Sequence, residues 1–210
     1  MRLFAALRPP DAALAELREA VAGLHGLPGA GRLRWADPAG WHVALAFYGD
    51  VPAGAVPALC ERLGAAAAGV PPHGLRLAGG GRFGRRVLWA GVTGEGTALL
   101  GRLAASAVAA GPAEGPGDER DAEEQRPRRA FEPHLTLARG RGRVGADLAP
   151  FTSGLAGFDG GPWTAACFGL YRSRLPGGGE PGGRPRYETL AVWPLTGRSA
   201  AARESPPPPE

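Results

Sequence analysis

The sequence predicts a mixed helix-and-strand chain, folded as one compact unit around a duplicated histidine motif, on three observations. A chain of 210 residues that is 44% apolar can bury a sizeable core as a single unit. Runs alternating apolar with polar residues trade places along the chain with apolar stripes at helical spacing. His42-Val43-Ala44-Leu45 and His134-Leu135-Thr136-Leu137 repeat a His-x-x-Leu core, one in each half.

Residues 2–8 read as a strand. After Pro9-Pro10, Asp11 stands where it can cap a helix with the stripe Leu14, Leu17, Val21 and Leu24. The first motif strand follows and closes at Gly49-Asp50. A second helix carries Val56, Leu59, Cys60 and Leu63, and residues 75–79 and 86–92 read as strands around a glycine-rich turn. A third helix carries Leu99, Leu100, Leu103 and Val108. Residues 111–129, rich in Gly, Pro, Glu, Asp and Arg, read as a flexible inserted loop. The second motif strand comes next, then a helix-poor stretch near 145–160. Trp163–Arg174 and Arg186–Leu195 read as a closing hairpin joined by the glycine-rich Pro176–Pro185. The tail 197–210, ending in a proline run, reads as disordered.

In an alternating run the histidine and the third motif residue share one face. Two such strands can therefore aim two imidazoles into one cleft. A histidine pair can act as general base and general acid near neutral pH, which suffices to hydrolyse a phosphodiester without a metal. A single strand histidine is ordinarily structural, and it is the duplicated context that points to chemistry.

Other features carry less. Gly79-Gly80-Gly81 and Gly177-Gly178-Gly179 lack the Lys-Ser/Thr of a phosphate-cradling loop and read as turns. His25 and His73 sit beside glycine and proline in expected loops, without a metal-ligating partner at useful spacing. No metal and no cofactor is expected. Cys60 and Cys167 suit buried free thiols better than a disulfide. All 24 basic residues are arginine, the net charge is +4 and the pI is about 9.8. That balance is compatible with a polyanionic substrate without pointing strongly to one. No apolar run is long enough to cross a bilayer and the opening lacks a secretory signal's apolar block, so a cytoplasmic chain with no membrane partner is expected.

The chain resembles the RNA 2',3'-cyclic phosphodiesterases, also called 2'-5' RNA ligases, of the two-histidine phosphoesterase superfamily. Besides the motifs, the resemblance rests on Arg2-Leu3-Phe4-Ala5-Ala6-Leu7, Leu33-Arg34-Trp35, Phe47-Tyr48-Gly49, Arg82-Phe83-Gly84, Val87-Leu88-Trp89-Ala90-Gly91, Leu170-Tyr171-Arg172-Ser173 and Tyr187-Glu188-Thr189-Leu190. It implies an α+β fold of two pseudo-symmetric lobes, each an antiparallel sheet backed by helices, with one motif per lobe facing a central cleft. Residues 1–196 would form one bilobal domain and a monomer, with Trp41 and Pro133 near the cleft's edge. The implied partner is an RNA end carrying a 2',3'-cyclic phosphate, or a small cyclic nucleotide. Hydrolysis to a 2'-phosphate, with possible reversal as ligation, would use His42 as proton donor and His134 as proton acceptor.

The resemblance also implies that Thr136 and Arg139 bind the phosphate, that Phe47 stacks on the terminal base, and that Tyr171 and Ser173 border the substrate. The acid-rich stretch Asp118 to Glu124 would repel RNA if it covered the cleft, so it is expected to point away. One position departs from the family pattern: Ala44 stands where a threonine or serine belongs. A missing oxyanion donor costs on the order of 3 kcal/mol, or roughly 10²–10³ in rate. Two alternatives follow: a catalytically weakened RNA-end or cyclic-nucleotide binder, and a phosphodiesterase for small cyclic phosphates or 2'-5' oligonucleotides.

Overall fold

A computed structural model describes residues 1–111, 131–141, 145–174 and 185–197. Strand β1 (Arg2–Leu7) is buried from Leu3 onward, because it lies inside the sheet, between β3 (Val43–Asp50) and β8 (Cys167–Arg174). The remaining strands are β2 (Leu33–Trp35), β4 (His73–Phe83), β5 (Val87–Thr93), β6 (His134–Gly140), β7 (Trp163–Ala165) and β9 (Arg186–Pro194). The nine form a mixed-connectivity antiparallel sheet in the order β7-β4-β5-β6-β3-β1-β8-β9, with β2 paired to β6. Its two halves exchange chain: β8 and β9 complete the half built on β1 and β3, while β4 and β5 join the half built on β6. At the seam, β3 meets β6 through one residue pair, Val43 opposite Leu135.

Helices cover each half. The first, α1 (Asp11–Leu24), and α4 (Ala149–Leu155) pack together and against β4, whereas α2 (Val56–Ala68) and α3 (Thr97–Ala110) pack against each other and on β8, β9 and β3. The α1 stripe Leu14, Leu17, Val21 and Leu24 is buried as its spacing predicts. Each such leucine contributes roughly 1.5–3 kcal/mol of transfer free energy. Leu59 and Leu63 of α2 and Leu100 and Leu103 of α3 do the same work.

The structure changes several expectations. Val108 is 62% exposed; the buried stripe of α3 runs through Ala104, Ala107 and Ala110 instead. Asp11 is already inside α1. Pro10, extended at φ −64° and ψ 156°, holds the cap position, and the Asp11 carboxylate pairs with Arg8 at 2.9 Å. His73 is not in a loop but opens β4, 5% exposed, because β4 extends to pair with β7. That pairing removes Trp163–Ala165 from the expected hairpin, which consists of β8 and β9 alone.

The helix-poor stretch contains α4, started by a proline in its first turn and anchored by buried Phe151 and Leu155 at i,i+4 spacing. Cys167 is exposed and Cys60 half-buried. Most of the expected loop (112–129, with Asp118 to Glu124), most of the hairpin connection (176–184) and the tail from 198 lie outside the described residues. No helix among the described residues is long and apolar enough to cross a membrane.

Candidate active site

Perfect alternation would send residues five apart to opposite faces of a strand. Both motif strands avoid this with a β-bulge at the same relative place. On β3, Ala44 opposes Ala6 and Ala46 opposes Ala5, so Leu45 is the extra residue, and Phe47 returns to the face of Ala44 opposite Phe4. On β6, Thr136 opposes Trp89 and Ala138 opposes Leu88, so Leu137 is extra, and Arg139 returns to the face of Thr136 opposite Val87. Bulges re-aim side chains in this way. Here they put the residue five beyond each histidine on the histidine's side.

That shared side is the wall of a cleft of about 460 Å³, lined by His42, Ala44, His134, Thr136 and Arg139 together with Arg34, Asp37, Arg186 and Tyr187. Both imidazoles are half-buried and held alike. Nδ1–H of His42 donates to the Gly40 carbonyl at 2.7 Å, and Nδ1–H of His134 donates to the Glu132 carbonyl at 2.8 Å. A carbonyl can only accept, so the proton sits on Nδ1, and the neutral ring carries its lone pair on Nε2.

Aromatic rings fix the planes. Phe4 lies 4.8 Å from His42, and Tyr187 meets it edge-on at 5.2 Å. Phe83 meets His134 edge-on at 4.9 Å, with Trp89 at 5.9 Å. Gly81 makes room for that tryptophan, since a Cβ there would collide with the indole.

Beyond His42 and Tyr187 lies a smaller cavity of about 150 Å³, walled by Phe4, Arg8, Trp41 and Tyr171. Burial pushes the Tyr171 hydroxyl above the usual tyrosine range, with Cys167 adding to the shift and Arg8 opposing it. It therefore stays protonated near neutral pH. In the larger cleft, three arginines face one described carboxylate, Asp37, an electrostatic balance that favours a bound anion.

Residues 7–89 match the family described as LigT like Phosphoesterase. A curated RNA 2',3'-cyclic phosphodiesterase of Geobacillus stearothermophilus is 34% identical over 173 residues, which is 78% of this chain and 48% of that protein. The chain thus spans about half the length of that relative. Among solved structures, TT0787 of Thermus thermophilus superposes with a TM-score of 0.67 at 26% identity, covering 95% of this chain and all of the other. E. coli LigT in its apo form gives 0.65 at 26% identity, covering 93% and 97%; its complex with 3'-AMP gives 0.64 at 25%, covering 93% and 98%. The chain belongs to the LigT-like phosphoesterases.

Its LigT-like cleft gathers five of the residues singled out from sequence: His42, Ala44, His134, Thr136 and Arg139. Val43, Leu45, Leu135 and Leu137 point the other way and are core. Phe47 lies on the cleft side but one ring removed, packed on Phe4 at 5.8 Å, and lines neither cavity. Tyr171 walls the smaller cavity, and Ser173 lines neither.

Trp41 is 3% exposed, a buried wall of the smaller cavity rather than an edge residue. Sequence reasoning assigned no role to Phe4, Arg34, Arg186 or Tyr187. Arg34 stands in Leu33-Arg34-Trp35, one of the segments that carry the family resemblance, and that was its only signal. Tyr187 likewise stands in a resemblance segment, Tyr187-Glu188-Thr189-Leu190, and in the expected hairpin, but its contact with His42 depends on where the sheet places β9.

Proposed function

We propose that this cleft hydrolyses the 2',3'-cyclic phosphate end of RNA to a 2'-phosphomonoester, with His42 and His134 as the general acid and base. The observation that carries the reading is the pair of imidazoles on one cleft wall, each with Nδ1 bonded to a backbone carbonyl and Nε2 thereby assigned to proton transfer. The Geobacillus relative is named for this activity, and E. coli LigT forms a complex with 3'-AMP.

In the forward reaction Nε2 of His134 takes a proton from water as the water oxygen bonds to phosphorus. The P–O3' bond breaks, and Nε2–H of protonated His42 gives its proton to the departing 3' oxygen. Opening the strained ring helps expel that oxygen. Thr136 donates to a non-bridging oxygen and Arg139 places positive charge beside it, meeting the negative charge that grows there. The two carbonyls under Nδ1 hold each ring in register and stabilise whichever imidazole is cationic. With the 5'-hydroxyl of a second RNA in place of water, the same histidine roles join the ends through a 2'-5' linkage, and they exchange when that step runs backwards to cleave the linkage.

A specific observation favours a second reading: Ala44 lines the cleft where Thr136 lines it from the other half, and it offers no donor. On that reading the chain is an RNA-end binder with weakened turnover. The two are separated by incubating the full chain with a short RNA ending in a 2',3'-cyclic phosphate and identifying the product end. A 2'-phosphate, lost on His134→Ala with RNA binding retained, supports catalysis. Binding without turnover in the wild-type chain supports the binder. Offering a cyclic mononucleotide and a 2'-5' dinucleotide in parallel tests the small-substrate reading.

A further inference from the structure

Strand β2 contributes three residues, and its pairing puts Arg34 directly opposite Arg139 on β6. Both side chains line the cleft. Residues directly opposite across an antiparallel pair have Cβ atoms roughly 5 Å apart, and like charges there repel and cost stability. Arg34 is exposed, and among the described residues it makes no hydrogen bond or ion pair that would offset the repulsion. Its neighbours in β2 do have structural work: Leu33 is buried, and the Trp35 indole donates to the Ala30 carbonyl and meets Phe151 edge-on. Among the described residues, nothing in the packing calls for a cation at position 34.

The charge has a use if two anions lie side by side in the cleft. In the reading above, the reacting phosphate sits by the histidines, Thr136 and Arg139. A cyclic phosphodiester carries a single negative charge, which one arginine already matches. A terminal nucleotide within RNA bears a second phosphate on its 5' oxygen, about one nucleotide's length away. Two guanidinium forks rooted on adjacent strands can diverge to span that gap, and each can grip a phosphate in bidentate fashion.

We propose that Arg34 binds the internucleotide phosphate on the 5' side of the reacting nucleotide, and so makes the cleft select an oligonucleotide end over a free cyclic mononucleotide. The proposal rests on the phosphodiesterase reading for its orientation, but its binding prediction does not depend on turnover.

The test measures calorimetric affinities of the full chain for adenosine 2'-monophosphate and adenosine 2',5'-bisphosphate, in wild type, Arg34→Gln and Arg34→Lys. The wild type should prefer the bisphosphate by roughly tenfold to a hundredfold, the usual value of one charge-assisted hydrogen-bonded contact. Arg34→Gln should bring that ratio close to one, and Arg34→Lys should retain part of it. The variant's monophosphate affinity reports whether the cleft is intact.

Equal losses for both ligands would mean that Arg34 acts at the reacting phosphate, and the absence of a wild-type preference would mean that it binds no second phosphate; either result overturns the proposal. Turnover of a cyclic mononucleotide and of a dinucleotide ending in a cyclic phosphate is then compared. If neither reacts while the binding ratio still depends on Arg34, the hydrolytic reading fails and the second-phosphate site stands.

Discussion

Replacing Ala44 with threonine tests whether the two halves of the cleft share one phosphate-binding logic. Ala44 and Thr136 each stand two residues beyond a histidine and one short of a bulge, and both line the cleft. Threonine is favoured on a half-buried strand surface, and Ala44 is half-buried. Surface exchanges of this kind usually change stability by no more than about 0.5 kcal/mol. One preorganised donor to a developing oxyanion is worth about 3–4 kcal/mol, or roughly 10²–10³ in rate. Ala44→Thr should therefore raise kcat on an RNA 2',3'-cyclic phosphate by a factor approaching that range, with a much smaller change in KM, because the donor acts on charge that appears in the transition state. The reciprocal Thr136→Ala should lower kcat by a similar factor. The assay is initial-rate hydrolysis with the product end identified, beside a denaturant melt to verify folding. If folded Ala44→Thr gains less than about threefold while Thr136→Ala loses a hundredfold, the halves are not equivalent and the reasoning fails.

The acid/base pair predicts a bell-shaped dependence of kcat/KM on pH. His134→Ala should remove the acidic limb and His42→Ala the alkaline limb, each costing about 10²–10⁴ in rate; a profile unaltered in shape by either variant would contradict the assignment. Gly81→Ala places a methyl group against the Trp89 indole that packs beside His134. It should cost about 1–3 kcal/mol of stability in a chemical melt and, by displacing the imidazole, lower kcat up to about a hundredfold. Tyr48 is buried, donates to the Ala107 carbonyl at 2.9 Å, and is pushed by burial above the usual tyrosine range, with Arg62 opposing. The unfolded chain's tyrosine ionises near pH 10, so unfolding above that pH releases a proton, and the stability present below it is lost as pH rises. Tyr48→Phe should flatten that alkaline decline in denaturation midpoints.

Much of the site is local and so was legible in the chain. A histidine and the residue two beyond it share a face by strand geometry alone, and the repeat of that pattern pointed to a pair. The stripe of α1 was likewise set by side-chain spacing. What the sequence by itself determined is therefore the chemistry on offer: two imidazoles, one threonine, the missing hydroxyl at Ala44, and the elements that carry them.

The tertiary structure decided what is non-local. The bulges at Leu45 and Leu137 arise from pairing against β1 and β5, and they alone turn an odd spacing of five into a shared face. Tyr187 reaches His42 from β9, and Arg34 reaches the cleft through the pairing of β2 with β6. Trp163–Ala165 left the expected hairpin because β4 offered it an edge. Strand pairing joins residues far apart in sequence, and its energy depends on which partner arrives, so no local pattern could have encoded those contacts.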